Sequence, residues 1–248
     1  MDWHGKVAVV TGGAAGIGAA TAELFASRGA NVLVVDRDAD EGAPVASGGV
    51  LRLRGDVGRE ADVIRVRDAA VERFGRIDVL VNNAGIMRRH ERAWDWSTAE
   101  VEEVLTTNLL SQFITTQLLA PVMGQGGGGS IVNIASMGAL IAVPYSPAYT
   151  ASKAGVLSMT RSMASSLESI GVRINAILPG FVDTPMTANA PARGTMPLMD
   201  PGDIARAIAH VAGDPSLTGG FFSVELEAGG VSLNRVEDAP RFVRVEGF

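Results

Sequence analysis

A chain of 248 residues with 47% hydrophobic and 19% charged side chains carries enough apolar surface for a large core, which excludes a disordered protein. The net charge of -6 and the scattered arginines exclude a general nucleic-acid binder, because phosphate recognition needs a cationic face. The absence of cysteine excludes disulfides, thiolate nucleophiles and cysteine–zinc sites, and His4, His90 and His210 are too far apart for a metal set or a serine–histidine pair, so no metal is expected.

The opening run MDWHGKVAVV lacks a signal-peptide core, and no stretch approaches the ~20 apolar residues of a bilayer span, so a soluble, cytoplasmic protein without membrane contact is expected. In chain order, β-branched runs at about 6–10, 31–35, 50–54, 77–81, 130–134, 172–177 and 221–226 read as strands. Helical patterns lie between them at 16–28, 60–74, 98–123 with a break near Thr106, 147–169 and 201–212. This alternation predicts an α/β protein with a seven-stranded, mostly parallel sheet covered by helices on both faces, all in one domain over 1–248. The glycine run 126–129 reads as a loop. Ser146 suits the N-cap, Pro147 the first turn and Gly171 the stop of the 147–169 helix.

Two local patterns carry chemistry. The first strand ends in Thr11-Gly12, and Gly16, Ile17 and Gly18 open a helix, a glycine-rich turn whose amides and helix dipole suit a dinucleotide pyrophosphate. Asp36 ends the next strand 18 residues beyond Gly18, where a carboxylate accepts from the adenosine ribose hydroxyls and repels a 2′-phosphate. NAD is therefore expected over NADP, with Arg37 as the counterweight. The second pattern is Ser136 with Tyr149 and Lys153, the last two one turn apart on one helix face. Lys153 is one of only two lysines among 21 basic residues, in a helix of small and apolar neighbours, which points to a need for a compact ammonium.

TGGAAGIG at 11–18, NNAG at 82–85, Ser136 and YTASK at 149–153 together resemble the short-chain dehydrogenase/reductase family, and the likeness extends from about Gly5 to Gly230. It implies a doubly wound Rossmann-type fold in which Tyr149 is the general acid/base, Lys153 lowers its pKa and holds the nicotinamide ribose, and Ser136 binds the substrate oxygen. It also implies that Asn108 in TTNLL helps hold a water in a proton relay. Asp56 and Val57 then meet the adenine, Asn83, Ala84 and Gly85 line the cofactor, and Pro179, Gly180, Val182 and Thr184 meet the nicotinamide end. An ammonium about 4 Å from the phenol, at an effective dielectric near 20, is worth roughly 4 kcal/mol, or nearly three pKa units downward.

The chain departs from the family near its end, where Ala228-Gly229-Gly230 stands in place of Asp-Gly-Gly, followed by an expected tail over about 231–248. A substrate lid is expected at about 184–201. Met87, Met137, Val143, Tyr145, Phe181 and Met186 flank the motifs and form the expected apolar substrate side. Arg88-Arg89 reads as solvated surface, with an anionic substrate as the alternative. The predicted activity is NAD-dependent interconversion of a secondary alcohol and its ketone. An NADPH-dependent carbonyl or 3-oxoacyl reductase and a non-catalytic NAD-binding module are the alternatives. Small-residue faces at 107–123 and 147–169 suit packing against further copies, as a homotetramer or homodimer.

Overall fold

The computed structural model describes residues 2–40 and 49–236. β1 (Val7–Thr11) leads into α1 (Gly16–Ser27), and β2 (Asn31–Asp36) and β3 (Val50–Arg54) precede α2 (Glu60–Phe74) and β4 (Val79–Asn82). Next come α3 (Thr98–Leu105), α4 (Ser111–Gln125), β5 (Gly129–Ile134), α5 (Pro147–Glu168), β6 (Val172–Pro179) and α6 (Pro201–Gly213), and the chain ends with β7 (Phe221–Glu227) and β8 (Gly230–Arg235). The sheet order is β3-β2-β1-β4-β5-β6-β7-β8, parallel throughout except for β8.

Successive side chains of a strand point to opposite faces, so the continuous valine and leucine runs supply two cores at once. Ala8, Val10, Val32 and Val34 face α1 and α6, meeting Phe25, Ile204 and Ile208. Val9, Leu33, Val35 and Leu80 face the other way, onto Val63 and Val66 of α2 and Leu119 and Met123 of α4. Each fully buried Val, Leu, Ile, Phe or Met side chain among them is worth roughly 1.5–3 kcal/mol. Between the layers a buried polar chain ties β4 and β5 to their helices. Thr115 Oγ1 donates to Asn82 Oδ1 (2.7 Å), Asn82 Nδ2 to Asn133 Oδ1 (2.9 Å), and Asn133 Nδ2 to Thr160 Oγ1 (2.9 Å).

The strand count corrects the expectation of seven. Residues 231–235, read as the start of a tail, belong with Gly230 to β8, which pairs antiparallel with β7 from Phe222↔Arg235 to Glu227↔Gly230. GVSLNR shows no apolar run because this edge strand is largely exposed, and its order comes from backbone pairing. Ala228 and Gly229 make the tight turn of the hairpin. The remainder of the expected tail, 237–248, lies outside the described residues.

The break expected near Thr106 is a π-helical turn, Thr106–Leu110, set between α3 and α4. Ser97 and Glu100 form the capping box that starts α3. Ser146 occupies the N-cap position of α5, but its hydroxyl donates to the Arg88 carbonyl oxygen (2.6 Å) instead of capping the helix. The glycine run 126–129 makes the turn from α4 into β5. Among the described residues no helix is long and apolar enough to cross a membrane.

Candidate active site

The strand order reverses at β1 and β4, and a crevice opens beyond the carboxyl ends of these strands. Asn83, just after β4, closes its floor: Nδ2 donates to the carbonyl oxygens of Thr11 (3.0 Å) and Gly12 (2.8 Å). Thr11 Oγ1 in turn accepts from the backbone N–H groups of Asn83 and Ala84, both at 3.0 Å. This close approach explains the glycines. Gly12 has φ +66, and a Cβ there would lie 2.7 Å from Ala84 Cα; a Cβ on Gly18 would lie 2.2 Å from the Gly12 carbonyl oxygen.

A cavity of about 260 Å³ follows this loop, lined by Gly12, Gly16, Ile17, Asp36, Asn83, Ala84, Gly85, Pro179, Gly180, Val182 and Thr184, and by Ser136, Tyr149 and Lys153. A side space of about 80 Å³ is lined by Asp36, Arg37, Asp56 and Val57. Gly18 stands behind the loop and lines neither space. The Asp36 carboxylate is oriented by backbone donors, Oδ2 accepting from Ala14 N and Oδ1 from Asp38 N, both at 3.0 Å. Asp56 Oδ1 accepts from Gly58 N (2.9 Å), while the Asp56 N–H donates to Asp62 Oδ2 (2.8 Å).

α5 presents Tyr149 and Lys153 one turn apart, both buried. The Lys153 ammonium donates to the Ile134 carbonyl oxygen at the end of β5 (2.7 Å) and lies 5.7 Å from the centre of the Tyr149 ring. Burial lowers the Lys153 pKa to about 8. Burial also raises the Tyr149 phenol above its ordinary range, against the smaller downward pulls of a hydrogen bond with Ser136 and of the Arg89 charge. This corrects the expected depression: in the protein alone, desolvation of the phenolate outweighs its neighbours, and the Lys153 charge is drawn toward the Ile134 carbonyl.

Asn108 sits in the π turn, fully buried, and does not line the cavities. Its Oδ1 accepts from Ile86 N (2.8 Å), and its Nδ2 donates to the Ile86 carbonyl oxygen and to Ser152 Oγ, both at 3.0 Å. It therefore clamps the segment after β4 against α5 at Ser152, the residue before Lys153.

A second cavity, about 410 Å³, joins the first at Ser136, Tyr149, Pro179, Gly180, Met186 and Thr187. All six residues expected on the substrate side, Met87, Met137, Val143, Tyr145, Phe181 and Met186, line it. Sequence reading missed Ile141, Met196, Met199, Glu225 and Leu226, which also line it. The expected lid segment begins with a short helical turn, Pro185–Thr187, and its far end is pinned back by a bridge between Val182 and Met199. Arg88 pairs with Glu103 (2.9 Å) on the exposed side, whereas Arg89 Nη2 donates to the Met186 carbonyl oxygen (2.9 Å). His90 Nε2 lies 2.9 Å from Glu100 Oε1.

A glycine loop at the switch point of a parallel sheet, opening toward a buried tyrosine–lysine pair, defines a doubly wound α/β enzyme of the dehydrogenase class. The chain belongs to the short chain dehydrogenase family, whose model matches residues 6–194, and is an oxidoreductase of that family. It is 36% identical over 240 residues to a 3-oxoacyl-(acyl-carrier-protein) reductase of Thermotoga maritima, covering 87% of this chain and 94% of that one. It is 39% identical over 223 residues to a cis-4-hydroxycyclohexanecarboxylate dehydrogenase of Sinomonas cyclohexanicum, covering 84% and 90%. The structure of a 3-ketoacyl-(acyl-carrier-protein) reductase from Brucella melitensis, complexed with NADH, is similar at a TM-score of 0.83 and 32% identity, covering 89% of this chain and 97% of that one.

Proposed function

We propose that this protein interconverts a secondary alcohol and its ketone with a nicotinamide cofactor, NAD in preference to NADP, and that Tyr149 is the general acid/base. The observation that carries this reading is the placing of the Ser136 and Tyr149 side chains where the two cavities join, with the Lys153 ammonium behind the tyrosine ring.

The first cavity fits a dinucleotide, because at Gly12, in its wall, a Cβ would clash with the Ala84 backbone, and a wall without side chains there leaves backbone amides open to a pyrophosphate. Asp36 would hold the adenosine ribose, Asp56 and Val57 the adenine, and Thr184 with Pro179 and Gly180 the nicotinamide end. When bound, the cofactor supplies or accepts the hydride at the substrate carbon. In oxidation the Tyr149 phenolate takes the alcohol proton, and in reduction the phenol returns it to the ketone oxygen. Ser136 Oγ donates to that oxygen as negative charge develops on it. Below about pH 8 Lys153 carries a positive charge 5.7 Å from the centre of the Tyr149 ring, and Asn108 holds the surrounding backbone in register.

A 3-oxoacyl reductase using NADPH is the second reading, favoured by the named activities of the Thermotoga and Brucella relatives and by the exposed Arg37 beside Asp36. Turnover of secondary alcohols, ketones and 3-oxoacyl thioesters with NAD(H) and NADP(H), followed by nicotinamide absorbance, separates the two. Activity confined to thioesters with NADPH would refute the first reading.

We also propose a homotetramer or homodimer built through α4 and α5, where Leu110 and Phe113 are 48% and 38% exposed on a helix face with no other cover. Light scattering tests it, with Leu110→Lys plus Phe113→Lys expected to yield monomers.

A further inference from the structure

The second cavity is apolar along most of its wall, with Met87, Phe181, Met196 and Leu226 among its lining, and hydroxyls mark its reacting end at Ser136 and Tyr149. Among the described residues, one that lines it carries a formal charge. Glu225 stands near the end of β7, half-buried, beside the Gly180 and Phe181 stretch that follows β6. Its backbone position is firmly held: the preceding Val224 is fully buried and accepts from Gly180 N (3.0 Å), and the Glu225 carbonyl oxygen accepts from Ser232 Oγ (3.4 Å) across the β7–β8 hairpin. Its carboxylate makes no hydrogen bond or ion pair among the described residues. Arg88 and Arg89, which follow the lining residue Met87, are engaged with Glu103 and with the Met186 carbonyl oxygen, and neither is part of this wall.

A carboxylate in an apolar cavity keeps its hydration while the cavity holds water and loses it when an apolar ligand fills the space. A ligand that places a donor at that point restores the bond, and an anionic ligand adds repulsion. We propose that Glu225 is a specificity-determining residue that selects alcohols and ketones bearing a second hydrogen-bond donor, a hydroxyl or an ammonium, on the arm away from the reacting carbon. This rests on the reading of the second cavity as the substrate site. It excludes substrates that carry a carboxylate on that arm.

The test uses secondary alcohols of one chain length whose far end is methyl, hydroxyl, ammonium or carboxylate. Turnover is measured with NAD, and equilibrium binding by calorimetry, for the wild type, Glu225→Gln and Glu225→Leu. In the wild type the hydroxyl and ammonium forms should exceed the methyl form by roughly tenfold in kcat/KM and in affinity, with the carboxylate form weakest. Glu225→Leu should collapse or reverse the hydroxyl-to-methyl ratio. Glu225→Gln should keep the hydroxyl preference, lose the ammonium preference and relieve the carboxylate penalty. A merely structural glutamate would shift all four substrates together, and that result overturns the proposal, as does a wild type indifferent to the far end. Binding that discriminates as expected without turnover would uphold the role of Glu225 and refute the alcohol-oxidation reading. Turnover without discrimination would do the reverse.

Discussion

Arg89 Nη2 donates to the carbonyl oxygen of Met186 at 2.9 Å, joining the segment after β4 to the segment after β6 across 97 positions of sequence. Met186 lines both cavities, so this bond fixes part of the wall they share. Arg89 Nε is buried without a partner, and the guanidinium charge pulls the Tyr149 pKa downward against burial. Arg89→Met is expected to raise KM for the alcohol roughly tenfold and to move the pH profile of oxidation upward. Arg89→Lys should retain the pH profile while still losing the bond geometry. Steady-state kinetics over pH decides the matter, and an unchanged KM in both variants would rule out the latch.

Tyr149 must be a phenolate before it can take a proton, and burial holds its phenol above the ordinary range. In oxidation kcat/KM should therefore rise with pH and level off, while ketone reduction falls over the same interval. Tyr149→Phe should lower kcat by about 10²–10⁴-fold, abolish the inflection and leave NAD affinity nearly unchanged. The same inflection in the phenylalanine variant would assign the titration to another group.

The stability of the protein should depend on pH through Lys153. Its folded-state pKa is about 8 against an ordinary 10.5, so between these values the unfolded chain binds a proton that the folded one does not. Stability from this group therefore rises with pH across that window, and the penalty is present in full below it. Relative to Lys153→Met, which carries no charge, the wild type should gain roughly 3 kcal/mol between about pH 8 and about pH 10.5. Denaturant unfolding of both proteins at a series of pH values measures this, and a difference that stays flat or falls would contradict it.

Asp36 lines both the main cavity and the smaller side space, held by Ala14 N and Asp38 N. The wild type should prefer NAD over NADP by more than about tenfold in kcat/KM, since a 2′-phosphate would meet this carboxylate. Asp36→Asn should narrow the ratio and Arg37→Ala widen it. Equal use of both cofactors by the wild type would show that Arg37 governs the site.

The amino-acid sequence by itself determined what is local. The alternation of apolar runs with helical patterns set the seven parallel strands and their covering helices, because side-chain period is a property of a few adjacent residues. The glycine turn at 12–18 and the common face of Tyr149 and Lys153 were legible for the same reason, as was the irregularity near Thr106. What only the tertiary structure decided depends on strand order, which no local period encodes. The order β1-β4-β5-β6-β7 brings Asn83 onto the Gly12 carbonyl, Lys153 onto that of Ile134, and Glu225 into a wall built chiefly from distant segments. β8 escaped notice because backbone pairing at an exposed edge needs no apolar signature. The direction of the Tyr149 shift was likewise out of reach, since desolvation is the sum of everything packed around the phenol, whereas spacing along the helix reports only its nearest charge.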